Sequence, residues 1–187
     1  KVRGAFNKLF QVKEERVIAA SMGNHGQAVA FAAGKLGKKA MIVMPASAAI
    51  VKEEAARGYG AEVVLTGDAL TDALAYAREQ KDAVFIHPYD DDAVIAGQGT
   101  IGLEVLDELA DIAAVFVPVG GGGLIAGIAA YVKRLRPEIL VIGVEPAQIT
   151  TRRIVDYAKA GIRQVANPFV GRLNNQRVRK ALHRALD

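Results

Sequence analysis

The sequence predicts an α/β fold, with parallel sheets and flanking helices, from three observations. Short runs rich in Val, Ile and Phe alternate with longer Ala-rich segments of helical period, the pattern of strands joined by crossover helices. The strand-like runs are apolar almost throughout, as suits strands covered on both faces. Two of them run into glycine-bearing loops that open a helix, "SMGNHGQ" at Ser21 to Gln27 and "VPVGGGGLIAG" at Val117 to Gly127. That is where open parallel sheets bind their ligands.

Along the chain, strands are expected at "RVIAA" (Arg16 to Ala20), "AMIVM" (Ala40 to Met44), "EVVL" (Glu62 to Leu65), "AVFI" (Ala83 to Ile86), "AVFVPV" (Ala114 to Val119) and "LVIGVE" (Leu140 to Glu145). Helices are expected between them at about Asn24 to Lys35, Ala48 to Tyr59, Leu70 to Gln80, Ala93 to Leu109 and Leu124 to Leu135. Several close on Gly or Pro, which stop a helix by opposite means: one adopts the left-handed conformation, the other cannot donate.

Composition narrows the class. With 187 residues, 51% of them hydrophobic, the chain can bury a core. It has no membrane-length apolar run and no signal-peptide pattern, so it reads as soluble and cytoplasmic. The absence of Cys removes disulfides, thiolate metal sites and cysteine nucleophiles. Charge is uneven: residues 1–150 hold 15 basic against 18 acidic side chains, while residues 151–187 hold 9 against 2. The basic segment reads as a solvated helix face, with association or nucleic-acid contact as its alternative.

Four consecutive glycines give a core nothing and cost chain entropy, so a close backbone approach is expected. Two ligands would explain it. Gly121, Gly123 and Ala126 have the G-x-G-x-x-A spacing, with Glu145 closing the next strand, which fits an NAD-binding Rossmann site. Alternatively, a lysine amine in "KVRGAFNKL", an Asn amide in "SMGNHGQAVA" and the clustered N–H groups of the glycines meet the needs of pyridoxal 5'-phosphate: an imine partner, a hydrogen bond to a ring hydroxyl and a phosphate cradle.

The blocks "KVRGA", "SMGNHGQ", "HPYDD", "AGQGTIGLEVLDEL", "VGGGGLIAG" and "GVEP" occur in that order from Lys1 to Pro146. In this the chain resembles the pyridoxal-phosphate-dependent serine/threonine dehydratases of fold type II, the tryptophan synthase β-like group that also contains serine racemase. The resemblance implies that Lys1 is the Schiff-base lysine and catalytic base, that Asn24 contacts the ring hydroxyl, and that Gly120, Gly121, Gly122 and Gly123 cradle the phosphate. It places Ser21, Met22, Gly23 and His25 where the substrate carboxylate is held.

The activity implied is that of an L-serine/L-threonine ammonia-lyase, giving a 2-oxo acid and ammonia by β-elimination with no metal. Related racemases carry a serine hydroxyl at the position of Met22; a thioether has no proton to give, which favours lyase over racemase. The resemblance also implies a small amino-acid substrate and a homo-oligomer. It implies two lobes with the cofactor between them: 16–95 as the smaller, and 1–15 with 96–150 as the remainder of the larger. Residues 151–187 match no block, and Lys1 stands first without a preceding Met, so the chain is expected to be cut at both ends. A non-catalytic remnant is the alternative to an active enzyme.

Other residues have plainer expectations. Ser21 and Asn24 are suited to capping the helix that follows them. Asp90, Asp91 and Asp92 precede a helix whose dipole favours acidic residues, and are read as that rather than as a metal cluster. His25 is read as hydrogen-bonded structure, His87 as a strand end, and Glu104 with Glu108 as one face of a helix.

Overall fold

A computed structural model describes residues 1–145 and 153–156. The chain forms two compact units, Lys1–Pro88 and Tyr89–Asp187. The expected basic segment 151–187 and the end of the last motif at Pro146 lie outside the described residues, apart from the backbone of 153–156.

The first unit runs α1 (Val2–Gln11), β1 (Arg16–Ala20), α2 (Asn24–Lys35), β2 (Lys39–Met44), α3 (Ile50–Gly58), β3 (Glu62–Leu65), α4 (Leu70–Glu79) and β4 (Val84–Phe85). Its sheet has the order β3-β2-β1-β4, with every pair parallel. Strand alternation divides the side chains between two layers. Val17, Ala19, Ile42 and Met44 join the α1 and α2 side with Leu9, Val29 and Ala33, whereas Ile18, Ala20 and Val43 meet Ala73 and Ala77 of α4. The many alanines of α2 are explained by this position: a helix lying close on a sheet has little room for larger side chains.

α1, which the strand and helix pattern of the sequence does not predict, is anchored to α2. Ala5 and Leu9 are buried, and Phe6 meets Phe31 edge to face with centroids 5.8 Å apart. Lys38 closes the turn that follows by donating to the carbonyls of Val12 and Glu14 at 2.8 and 2.9 Å.

The second unit contains α5 (Asp92–Glu108), β5 (Ala114–Pro118), α6 (Gly123–Leu135), β6 (Leu140–Glu145) and β7 (Arg153–Asp156). β5 and β6 are parallel. β7, a strand the sequence reading did not name, pairs with β6 in the antiparallel sense, Val144 opposite Ile154. Val117, Ile125, Ala129, Val132 and Val141 make its core with Ile95 of α5. α5 and α6 approach so closely that a Cβ on Gly127 would lie 2.2 Å from the Ile95 carbonyl oxygen.

The expected strands and helices are present with ends moved by at most two residues. β4 is the shortest, yet Ile86 beyond its end still donates to Ile18 at 2.8 Å. The division between the compact units falls between Pro88 and Tyr89 in the chain, and α1 packs with the first. Among the described residues no helix is long and apolar enough to cross a membrane.

Candidate active site

Lys1 stands at the start of α1 as its N-cap, its carbonyl accepting from Ala5 N–H at 3.1 Å. Its Nζ donates to the Pro88 carbonyl at 2.6 Å. The residue as a whole is exposed, but the ammonium end is the part that titrates, and desolvation there holds its pKa below the usual lysine value. Burial disfavours the charged form, so a larger share of this amine is neutral at any given pH. A neutral amine is the form that can attack a carbonyl or accept a proton.

The loop between β1 and α2 is fixed by hydrogen bonds. Ser21 N–H donates to Val43 at 3.0 Å, and Ser21 Oγ accepts from Gly23 N–H at 3.1 Å. Gly23, not Ser21 or Asn24, is the N-cap of α2, and no side chain caps that helix, so neither residue takes the capping role expected as the plainer alternative. Asn24 is the first residue of α2, and its Oδ1 accepts from Lys52 Nζ at 3.4 Å, which leaves the Nδ2 side of the amide as a donor. Met22 is 46% exposed.

His25 points inward, 5% exposed, with Nε2 2.9 Å from the Ile86 carbonyl. A carbonyl only accepts, so Nε2 carries the hydrogen. Burial, opposed by that hydrogen bond and assisted by the nearby positive charges of Lys1 and His87, pushes its pKa down to about 4. The ring is therefore a neutral strut between the start of α2 and the end of β4, and what it leaves for a ligand is its backbone N–H. A cleft of about 320 Å³ adjoins this region, lined by Lys1, Asn24, Gln27, Phe31 and Tyr59 among others.

In the second unit, Val119 N–H closes the β5–β6 pairing by donating to Val144 at 2.8 Å. The chain then turns through the glycines into α6. Gly122 is the N-cap of α6 in the left-handed region, φ +91°, a conformation that disfavours a Cβ. A Cβ on Gly121 would lie 2.1 Å from the Tyr89 ring, and one on Gly123 would lie 2.6 Å from the Tyr89 carbonyl oxygen; one on Gly120 would meet nothing within 4 Å. The first N–H groups of α6 have no intrahelical acceptor by position, and its dipole favours an anion there. Asp91 caps α5 by accepting from Ala93 and Val94 N–H at 3.0 and 3.1 Å, and the His87 ring packs against Phe85.

Within the first unit, a desolvated lysine amine and an amide donor suit a cofactor's aldehyde and ring hydroxyl; within the second, a side-chain-free loop at a helix N-terminus suits a phosphate. The family model described as pyridoxal-phosphate dependent enzyme matches residues 1–185. The chain belongs to this family. Within it, the chain is 51% identical over 154 residues to an L-threonine ammonia-lyase of Geobacter sulfurreducens, covering 79% of this chain and 38% of that protein. The processed form of threonine deaminase isoform 2 from Solanum lycopersicum superimposes with a TM-score of 0.75 at 47% identity, over 78% of this chain and 44% of that one. A serine racemase from Dictyostelium discoideum gives 0.73 at 38% identity, over 78% and 50%. The chain thus spans under two thirds of the length of these relatives. A pyridoxal-phosphate dependent family removes the NAD-binding alternative that the G-x-G-x-x-A spacing allowed.

Lys1, Ser21, Met22, Gly23, Asn24 and His25 all fall in the first unit of this family member, and Gly120 to Gly123 in the second. Sequence reasoning missed the Pro88 carbonyl, Lys52 and Tyr89. It also missed Gln98, a buried side chain whose Oε1 has no hydrogen-bond partner. Gln98 had a signal, the one polar side chain in the otherwise small and apolar run Ala93–Gly99 of α5; the Pro88 carbonyl had none, because any residue supplies one.

Proposed function

We propose that the protein to which this chain belongs is an L-threonine or L-serine ammonia-lyase that uses pyridoxal 5'-phosphate, held by Lys1, Asn24 and Gly120 to Gly123. The observation that carries this reading is the Lys1 amine, desolvated and hydrogen-bonded at Pro88 with its pKa lowered. The name of the Geobacter relative supports the choice of reaction. When bound, the cofactor supplies an electrophilic aldehyde carbon and an electron sink for negative charge at Cα.

The chain's own groups do the rest. Lys1 Nζ is the amine that anchors the aldehyde and, once released as a neutral base, takes the Cα proton. With Ser21 N–H held by Val43 and Gly23 N–H by Ser21 Oγ, the backbone N–H groups of Met22, Asn24 and His25, around the positive end of α2, orient the substrate carboxylate. Asn24 donates from Nδ2 to the ring hydroxyl, with its Oδ1 engaged by Lys52. Departure of the β-hydroxyl as water, followed by uptake of one water, converts the amino acid into a 2-oxo acid and ammonia. Met22 offers no proton to the opposite face of Cα, so return of the proton with inversion is disfavoured.

In the complete enzyme, 1–15 and 96–150 are proposed to belong to the larger lobe and 16–95 to the smaller. Homo-oligomeric assembly and a cytoplasmic location belong to the same reading. The test is borohydride trapping: reduction in the presence of pyridoxal 5'-phosphate should fix the cofactor to the side chain of Lys1, and Lys1→Ala should abolish both trapping and 2-oxo acid formation. Labelling spread evenly over surface lysines would overturn the reading.

A further inference from the structure

The four glycines are not equivalent. Gly122 is needed for its positive φ, and Gly120 faces open space. At the other two, the space a side chain would take is already filled by one residue. A Cβ on Gly121 would meet Cδ1, Cγ and Cε1 of Tyr89 at 2.1, 2.3 and 2.5 Å, and one on Gly123 would meet the Tyr89 carbonyl oxygen, Cα and Cβ at 2.6, 2.9 and 2.9 Å.

Tyr89 is itself well anchored. It stands two residues before Asp91, the N-cap of α5. α5 lies against α6 through the near-contact of Gly127 with Ile95 and through the shared cluster of Ile95, Ile125 and Ala126. The start of α5 and the start of α6 are therefore parts of one packed body, with the Tyr89 ring and backbone wedged against the loop that opens α6. A loop with no side chains has no side-chain hydrogen bonds to hold its shape, and backbone freedom is greatest at glycine. Something outside the loop must supply its rigidity.

We propose that Tyr89 is a positioning residue for the phosphate cradle: it holds Gly120 to Gly123 in one conformation, so that the free N–H groups are in place before an anion arrives. This rests on the cofactor reading above. It assigns the pairing of Gly121 and Gly123 with Tyr89 to shape rather than to contact with ligand, and leaves Gly120 as the position where the ligand comes nearest the backbone. The contacts that do the work are ring carbons and backbone atoms.

The test compares pyridoxal 5'-phosphate with pyridoxal, which shares the ring and aldehyde but lacks the phosphate. Affinities for both are measured by absorbance titration of the parent chain, Tyr89→Ala and Tyr89→Phe. Tyr89→Ala should lower the preference for the phosphorylated compound about tenfold while pyridoxal affinity changes less than about twofold, and Tyr89→Phe should restore the preference. An equal loss for both compounds, or a preference that survives in Tyr89→Ala, overturns the assignment of Tyr89 and leaves the cofactor reading standing. A parent chain with no preference overturns both.

If Tyr89→Ala does not fold, Gly121→Ala and Gly121→Ser give the same comparison with the tyrosine retained. Each should lower the preference for the phosphorylated compound, and an unaltered preference in both would overturn the proposal. Where all variants fold, a double-mutant cycle adds a second readout. The melting-temperature loss from Gly121→Ala should be at least halved in the Tyr89→Ala background, and equal losses in the two backgrounds would overturn the wedge.

Discussion

The two loops proposed to serve one cofactor are stabilised in opposite ways. The Ser21–His25 loop is held by side-chain hydrogen bonds: Ser21 to Gly23, Lys52 to Asn24, His25 to Ile86. The Gly120–Gly123 loop has no side chains, and is shaped by a positive φ and by the bulk of Tyr89. The first arrangement can present different functional groups at defined points, and it includes a titrating group. The second presents only N–H groups and is insensitive to pH. A cofactor with a reactive aldehyde at one end and a phosphate at the other has use for both kinds of support.

The largest expected effect separates them by pH. His25 has a pKa of about 4 in the folded chain against 6.5 for an ordinary histidine. Between those values the unfolded chain binds the extra proton, so stability is complete above about pH 6.5 and falls as the pH drops toward 4, by about 3 kcal/mol in all. Hydrogen exchange at pH 7 and pH 4, corrected for intrinsic rates, should show loss of protection in α2 and β4 and little loss in α6. The parent chain should lose more than His25→Asn over the same range. Equal pH slopes for parent and variant would show that His25 is not the strut described.

Next in size is a methyl added to each loop. Gly123→Ala drives a Cβ onto the Tyr89 backbone, which cannot rotate aside, and should destabilise by about 1–3 kcal/mol. At Gly23, φ is −166°, an extended value open to any residue, and a Cβ would meet nothing within 4 Å. Gly23→Ser, a good N-cap residue in open space, should stay within about 0.5 kcal/mol of the parent. Urea midpoints at constant m-value check both, and a costly Gly23→Ser beside a harmless Gly123→Ala would reverse the comparison.

These cases also show what the sequence could reveal. α2 was legible over Asn24–Lys35 because β1, a glycine-bearing turn and a helical run of small residues follow one another without ambiguity. The glycine loop was legible as a place of close approach, but not what approaches it. Tyr89 lies 32 positions before Gly121, and only the packing of α5 on α6 brings the two together. The shift of His25 was illegible for a related reason: the Ile86 carbonyl carries no residue identity, and burial is a property of the assembled unit. β7 escaped notice because "RIVD" is short and sits in a basic stretch. Its pairing is decided by the free edge of β6, not by its own pattern.

The smallest expected effect is the most specific. Lys52 donates to Asn24 Oδ1 at 3.4 Å near the surface, a long bond whose contribution to folding is small. Its consequence is orientation: an amide whose oxygen is engaged presents its nitrogen as donor, and loss of the lysine lets the group rotate by half a turn at little cost. Lys52→Met, which keeps most of the side-chain volume, should therefore leave the urea midpoint within about 0.5 kcal/mol of the parent while weakening pyridoxal 5'-phosphate about threefold, the lower part of the range for one hydrogen bond. The 3-deoxy analogue, which has the phosphate and aldehyde but no ring hydroxyl, should bind parent and variant alike. If Lys52→Met weakens both compounds equally, the lysine acts through charge or folding and not through the Asn24 amide; if it weakens neither, the orientation of Asn24 is set without it.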